Sequence, residues 1–463
     1  MPGHMLGRGA CPELKDLMGE KALQADITQV LDMDDIHRPQ SFTKAAQELA
    51  AECFGAEQTW FLINGSTCGN QAMLMASLQP GEEVILPRCA HRSLQAGLIF
   101  SGAVPRYAAS PYDRDGGVNL AVEAEELERL QKLHPRVKVW AVTAATPYGA
   151  CADMKKICDR AHSCGAAVLA DEAWGPHFGA CEGLPLSAMA QGADCAVQSA
   201  HKLLGALSQA SLLHYQGGRV DRGRLHLALR MLQSTSPSYL LLASLDLARR
   251  QLALEGQELW SKALERAMDL RAFVSGLPGF RVMEKGRAYD YDLTRVVISA
   301  LDLGIDGVQL ERILRYRFKV QPEMSDMRNV VLVVTPSQTE EDLRRLKAAL
   351  QEISASPYDW IAKEGVKMPL KLVEELGFPG FPEMVLSPRE AFFTQTLSVP
   401  WKEAIGKVCG ELITPYPPGI PLICPGERIE AGHFAYLQEL NRVGIPIDGL
   451  QDRNFEKVKI LKV

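Results

Sequence analysis

Between residues 59 and 198, short apolar runs alternate with segments whose apolar residues recur at helical spacing. The apolar runs are predicted to be strands, at 60–63, 83–86, 137–142, 166–170 and 195–197. Several segments between them are predicted to be helices, at 69–78, 122–133 and 154–164. Strands that alternate with helices form a mostly parallel sheet that is covered on both faces. In such α/β folds, ligands bind at the carboxyl ends of the strands.

Changes in this pattern divide the chain into four predicted parts. They are an N-terminal arm, a large domain that ends in a long bridging helix, a small α/β domain and a C-terminal α+β domain, at 1–40, 41–274, 275–355 and 356–463. The arm shows little periodicity. In the small domain, Ser337 and Glu340 are predicted to form a capping box before a helix. Pro-rich runs at 377–382 and 414–421 distinguish the C-terminal domain.

Composition excludes several classes of protein. The 463 residues are 47% hydrophobic and 23% charged, which is typical of a globular enzyme. A net charge of −6 and the lack of a basic run argue against a nucleic-acid binder. No apolar run approaches the roughly 18 residues of a membrane span, and the N-terminus lacks the apolar core of a signal peptide. The 11 cysteines form no CxxC pairs, so we expect reduced thiols, no metal site and a cytoplasmic location.

Two polar residues stand where predicted strands end, and they indicate the chemistry. Asp171 follows the apolar run 166–170, and Lys202 comes shortly after the run 195–197. Enzymes that use pyridoxal phosphate (PLP) need such a pair. The lysine forms a Schiff base with the cofactor, and the aspartate pairs with the protonated pyridine nitrogen. Taken singly, such a lysine is usually a solvated surface group and such an aspartate is often a helix cap.

Residues near the other strand ends suit the remaining parts of PLP. Ser66 and Thr67 stand in a turn that opens a helix, where N–H groups and hydroxyls bind anions such as phosphate. His91 stands at a strand–helix junction, from which its ring can stack on a planar cofactor. Three further residues complete the set, namely Ser199 and His201 for the phosphate and Trp174 at the rim of the site. Singly, the turn is more often an ordinary N-cap and the histidine a surface or capping residue.

Taken together and in this order, these segments resemble the bacterial Orn/Lys/Arg decarboxylases, which are PLP enzymes of fold type I, the aspartate-aminotransferase fold. The resemblance extends over essentially the whole chain. It is carried by the segments 64–67, 87–93, 170–175, 199–202 and 235–246, with shorter stretches at 2–4, 34–39, 415–421 and 425–427. The receiver-like N-terminal domain of the large acid-induced members has no counterpart in the sequence, which favours the short branch of the family.

The resemblance implies roles for individual residues. Lys202 is the Schiff-base lysine, Asp171 is the partner of the pyridinium, and His91 stacks on the ring. The phosphate is held by Ser66, Thr67, Ser199 and His201. In the family a Thr-Ser-Pro stretch reaches the phosphate of a neighbouring subunit, so Thr235 and Ser236 act in trans and the active unit is at least a homodimer. Glu427 is the acceptor for the distal cation of the substrate.

The implied reaction is α-decarboxylation of arginine, lysine or ornithine, with arginine slightly favoured, as a step toward polyamines. Lys202 or His201 returns the proton to Cα. Two alternatives remain open. An aminotransferase or another PLP lyase on the same fold shares Lys202 and Asp171, and a non-catalytic regulatory relative shares the fold alone.

Overall fold

The computed structural model describes residues 1–30, 33–286, 288–364, 379–415 and 420–463. Parts of the Pro-rich runs, at 377–378 and 416–419, lie outside the described residues. The arm and large domain contain α1 (Pro12–Ala25), α2 (Phe42–Phe54), β1 (Gln58–Leu62), α3 (Gly65–Ser77), β2 (Glu83–Pro87), α4 (Arg92–Ser101), β3 (Val104–Ala108), β4 (Tyr112–Asp113), β5 (Val118–Asn119), α5 (Ala124–Leu133), β6 (Val139–Thr143), β7 (Ala150–Cys151), α6 (Met154–Ser163), β8 (Ala167–Asp171), β9 (Cys195–Gln198), α7 (Ala200–Leu203), β10 (Ser211–Tyr215), α8 (Arg222–Leu232) and α9 (Tyr239–Ser275).

The remaining elements follow in two groups. The small domain contains β11 (Arg281–Val282), β12 (Asp290–Tyr291), β13 (Arg295–Ser299), the 3-10 turn Leu301–Leu303, α10 (Gly307–Tyr316), β14 (Met324–Ser325), β15 (Asn329–Val333), α11 (Glu340–Ala355) and α12 (Pro357–Glu364). The C-terminal part contains α13 (Pro388–Phe393), β16 (Thr396–Pro400), α14 (Trp401–Ala404), β17 (Thr414–Pro415), α15 (Ala431–Arg442), β18 (Ile447–Asp448) and β19 (Lys457–Leu461).

A seven-stranded sheet forms the centre of the large domain, in the order β1-β10-β9-β8-β6-β2-β3. Five neighbouring strands, from β9 to β3, run parallel, and β10 pairs antiparallel with both β9 and β1. Helices pack on both faces and bury separate apolar clusters, with Leu74 and Leu98 on one side and Trp140 and Ile157 on the other. The prediction of a mostly parallel α/β sheet is confirmed.

Helix α9 joins two cores along its 37 residues. Its first turns place Tyr239 and Leu242 in a cluster of the large domain. Its last turns place Leu270 and Val274 against a four-stranded sheet of order β11-β13-β15-β14. The predicted bridging helix is therefore present, and it fixes the small domain to the large one. The separate apolar cores support the predicted division into domains, which we retain as a proposal.

Three local predictions differ from the structure. The capping box before α11 is formed by Thr339 and Asp342 and not by Ser337 and Glu340, because the helix begins two residues later than the predicted box requires. The arm contains helix α1, which is bent at Gly19 and buries only Leu23, so it leaves no amphipathic pattern in the sequence. Strands β3 and β10 were not predicted. In the described part of the chain, no helix is both long and apolar enough to cross a bilayer.

Candidate active site

The predicted site residues gather at one edge of the central sheet. Parallel pairing places Asp171 beside Thr143 of β6 and Val197 of β9, so these strands end at the same edge. The chain leaves β9 through Ser199 into the short helix α7, which carries Lys202. Asp171 and Lys202 thus face a common cleft because parallel strands bring their carboxyl ends together.

Asp171 is held by donors from two different segments. Its carboxylate is only 5% exposed. Oδ2 accepts a hydrogen bond from Asn70 Nδ2 at 2.8 Å, and Oδ1 accepts one from the backbone N–H of Ala173 at 3.1 Å. A buried carboxylate that is oriented in this way suits a cationic N–H partner in the cleft.

The Lys202 ammonium lies over the indole of Trp174, 3.9 Å from the ring centroid. Among the residues that the structure describes, no carboxylate lies within ion-pair distance of its Nζ. Desolvation in the cleft lowers the pKa of Lys202 below its usual value. Asp171 and Glu323 oppose this shift and Arg295 adds to it. A lysine with a lowered pKa is more often neutral, as a nucleophilic amine must be.

Three hydroxyls converge at the start of α3. The strand β1 turns through Gly65, whose φ is +72°, and the helix then begins. Ser66 Oγ lies 2.7 Å from Ser199 Oγ and 3.2 Å from Ser211 Oγ, while Thr67 is exposed beside it. Free N–H groups at a helix N-terminus together with hydroxyls make a phosphate-sized anion site.

Helix α3 can approach the sheet this closely because of Gly69. A Cβ at Gly69 would lie 2.6 Å from Val197 Cγ2 and 2.9 Å from Leu62 Cδ1. Any larger residue would therefore push the helix N-terminus away from β9 and from the hydroxyl of Ser199. The anion site is thus built by close packing as well as by residue chemistry.

Two histidines border the cleft. His201 donates a hydrogen bond from Nδ1 to the carbonyl of Ala210 at 2.9 Å, and its Nε2 has no hydrogen-bond partner among the described residues. His91 caps helix α4, since its Nδ1 accepts from the Ser93 backbone N–H at 3.2 Å, and it is exposed to the cleft. Desolvation lowers the pKa of His91; Asp171 opposes this, and Lys202 and Arg92 add to it.

Comparison with known proteins identifies the family. The family model for the Orn/Lys/Arg decarboxylase major domain matches residues 1–287, and the model for the C-terminal domain matches residues 371–452. The chain belongs to the Orn/Lys/Arg decarboxylase family. It is a family of PLP enzymes, and the residues gathered here fit that cofactor, with an amine, a carboxylate, a ring face and an anion site around one cleft.

Individual relatives agree with this placement. An arginine decarboxylase of Bacillus subtilis is 37% identical, over 100% of this chain and 94% of the relative. A constitutive lysine decarboxylase of Escherichia coli is 24% identical, over 92% of this chain and 72% of the relative. The solved lysine decarboxylase A of Pseudomonas aeruginosa has a TM-score of 0.87 at 22% identity, and the match covers all of this chain and 78% of that one. The last comparison supports the fold.

Thr235 and Ser236 lie exposed in the loop between α8 and α9. The loop is fixed at its start, because Gln233 Oε1 accepts from the backbone N–H of Ile63 at 2.8 Å. His37 Nε2 also donates to the carbonyl of Ser234 at 3.0 Å. The two hydroxyl residues therefore stand on an anchored loop with their side chains accessible to a neighbouring molecule.

Glu427 has a different environment from the one predicted. It is 1% exposed, and both carboxylate oxygens accept from Arg88, with Nη2 to Oε2 at 2.7 Å. Oε2 also accepts from the backbone N–H of Cys424 at 2.7 Å. In this structure both oxygens are engaged by Arg88, and the role of Glu427 as acceptor of the distal cation stays a prediction. Glu427 joins the C-terminal domain to the strand end that precedes His91.

Several residues that build the site were not found from the sequence. They are Asn70, Ser93, Ser211 and Arg295. Asn70 ends the same turn motif as Ser66, and Ser93 stands two residues after His91, the spacing of an N-cap contact. Arg295 left no signal: it is fully buried at the start of β13, and its Nη2 donates to the carbonyl of Trp174 at 3.0 Å.

Proposed function

We propose that this protein is a PLP-dependent decarboxylase of a basic amino acid, with arginine as the favoured substrate. The observation that carries the proposal is the convergence of Lys202, Asp171, His91 and the Ser66 turn at one sheet edge, in a chain whose family acts on these amino acids. Arginine is favoured because the Bacillus subtilis relative named arginine decarboxylase is 37% identical over the whole chain.

Each part of the cofactor has a proposed partner among the residues of the cleft. Lys202 would hold the aldehyde end of the cofactor, Asp171 would accept from its ring nitrogen, and the His91 imidazole would cover one face of its ring. The phosphate would be held at the N-terminus of α3, with Ser66, Thr67, Ser199 and His201 as donors. Trp174, whose indole already contacts Lys202, closes the rim.

When bound, PLP supplies an electron sink for the pair released as the bond between Cα and the carboxylate breaks. The protein orients the substrate and the cofactor, excludes water from the cleft and supplies the proton. Asp171, fixed by Asn70 and Ala173, keeps the ring nitrogen hydrogen-bonded. Lys202 Nζ is the group that would hold a proton next to Cα. The Nε2 atom of His201 is the second candidate for that proton transfer.

The proposed active unit is a homodimer. The exposed hydroxyls of Thr235 and Ser236 support this, since an anchored loop with accessible donors suits a phosphate held by the partner. The exposed apolar side chain of Leu17, on the arm helix α1, also suits burial against a second copy.

A substrate panel tests the proposal. The purified protein with added PLP is incubated with arginine, lysine and ornithine, and CO₂ and the product amine are both measured. We expect CO₂ release with the matching amine from at least one substrate, and most rapidly from arginine. Amino transfer to a keto acid without CO₂ would establish the aminotransferase alternative instead. No reaction with any of the three would favour the regulatory relative.

A further inference from the structure

A hydrogen-bonded chain connects two groups that are proposed to contact the cofactor, one at its ring nitrogen and the other at its ring face. It begins at Asp171, passes through Asn70 and Ser93, and ends at His91. Asn70 Nδ2 lies 2.8 Å from Asp171 Oδ2 and 2.9 Å from Ser93 Oγ. Ser93 Oγ in turn lies 2.7 Å from His91 Nδ1. Asn70 and Ser93 are each 1% exposed, so no solvent competes for these contacts.

The chemistry of these groups fixes the direction of each hydrogen bond. The amide nitrogen of Asn70 only donates, so one of its hydrogens goes to Asp171 and the other to Ser93 Oγ. The Ser93 hydroxyl accepts from Asn70, which leaves its own hydrogen free to be donated to His91 Nδ1. The Ser93 backbone N–H, which can only donate, also lies 3.2 Å from His91 Nδ1. His91 Nδ1 therefore faces two donors and carries no proton.

The electrostatic surroundings act in the same direction. His91 caps α4, a helix of ten residues, so its ring lies at the positive end of the helix dipole. Desolvation disfavours a positive charge on the ring, Asp171 favours one, and Lys202 across the cleft and Arg92 on the same helix disfavour it further. A neutral ring with Nδ1 occupied must bear its single hydrogen on Nε2, which points away from the helix cap.

We propose that Asn70 and Ser93 are positioning residues that hold His91 as the neutral tautomer protonated at Nε2 and tie this ring to the Asp171 carboxylate through one amide. His91 then offers a ring face and one N–H donor, and it does not act as a base. Only the identity of the bound group rests on the proposed function, because the tautomer is a property of the protein alone.

The first test uses the wild-type protein without cofactor, so it needs no variant. Protein with ¹⁵N-labelled histidine rings is examined by long-range ¹H–¹⁵N NMR, and the His91 signals are assigned from their loss in His91→Asn. We expect an unprotonated Nδ1 and a protonated Nε2 at neutral pH. A proton on Nδ1, or on both nitrogens at neutral pH, overturns the proposal.

The second test removes one donor. Ser93→Ala is expected to raise the pKa of His91 by about half a unit to one unit, since it deletes one hydrogen bond to the neutral ring. Ser101→Ala is the matched control, because Ser101 is a buried serine on the same helix that bonds only to that helix and to Ala103. Equal shifts in the two variants, or none in Ser93→Ala, contradict the proposal.

Kinetics of the cofactor-loaded enzyme separate positioning from simple packing. Ser93→Ala should lower kcat about fivefold with little change in KM and should move the acid limb of the pH profile upward, while Ser93→Thr restores both. An unaltered pH profile in Ser93→Ala would contradict the assigned role. If no amino acid is decarboxylated at all, the proposed function fails, and the NMR result still decides the tautomer.

Discussion

Replacing Glu427 by Gln is expected to weaken the attachment of the C-terminal domain by about 3 kcal/mol, because it leaves the Arg88 guanidinium buried without its counter-charge. Both side chains are 2% exposed or less. Arg88 also stacks on Tyr107, with its guanidinium carbon 4.6 Å from the ring centroid. The ion pair therefore lies in an apolar interface between β2, β3 and the C-terminal domain.

The magnitude of this loss of stability follows from which hydrogen bonds Arg88 keeps in Glu427→Gln and which it loses. Its Nε donates to the carbonyl of Pro421 and its Nη2 to the carbonyl of Leu422, each at 3.0 Å, and both contacts survive the change. The bidentate contact with the carboxylate does not survive. Breaking a buried ion pair costs about 3–5 kcal/mol, and the two remaining carbonyl contacts favour the lower end of this range.

Urea unfolding followed by tryptophan fluorescence measures the effect, with the C-terminal transition assigned from its loss in Trp401→Phe. The double variant Arg88→Met with Glu427→Leu should recover most of the loss, since it removes both charges. Glu383→Gln is the control. It breaks the exposed pair with Arg428 and should cost less than about 1 kcal/mol.

A small loss in Glu427→Gln, within about 1 kcal/mol of wild type, would refute this reasoning. A second outcome would be unchanged stability of Glu427→Gln together with a raised KM for the substrate. That combination would support the role predicted for Glu427, as the acceptor of the distal cation.

Three further predictions concern packing, pH and assembly. Gly69→Ala should lower the free energy of unfolding by about 1–3 kcal/mol and should weaken PLP binding. Urea unfolding and cofactor titration measure the two effects. Gly432→Ala is the control, because a Cβ there would meet nothing closer than 3.8 Å, and it should cause neither effect. Burial lowers the pKa of His214 from 6.5 to about 3, so its contribution to stability is present above pH 6.5 and is lost as the pH falls toward 3. The free energy of unfolding should therefore drop by about 2–3 kcal/mol between pH 7 and pH 4.5, and the drop should be smaller in His214→Gln. An equal drop in the wild-type protein and in His214→Gln would contradict this. Mixing inactive Lys202→Ala with inactive Thr235→Ala subunits should restore part of the activity if Thr235 acts in trans, and no recovery would place it within its own subunit.

The sequence predicted the parts of the fold that leave a regular pattern. Strands such as β8 are buried on both faces and appear as unbroken apolar runs, and the bridging helix α9 is long and uninterrupted. Helix α1 buries one residue, Leu23, and so has no periodicity to detect. Strand β10 contains the buried polar residue His214, which hydrogen-bonds Thr59 across the sheet at 2.8 Å and interrupts the apolar pattern.

The same contrast holds for the site. Residues that follow strand ends, such as Asp171 and Lys202, can be located from the chain because topology alone brings parallel strand ends together. Asn70 and Ser93 could not be assigned, since their importance lies in contacts between helices α3 and α4. The pairing of Glu427 with Arg88 was not predicted because Arg88 lies 339 positions away in the chain, and no local pattern shows a contact over that distance.

Borohydride reduction of the PLP-loaded protein followed by peptide mass mapping tests the central claim most directly. The account predicts a single reduced pyridoxyl adduct on the peptide that contains Lys202, and none in Lys202→Ala under the same conditions. An adduct on another lysine in the wild-type protein, or no adduct at all, would contradict the assignment of this cleft as the cofactor site.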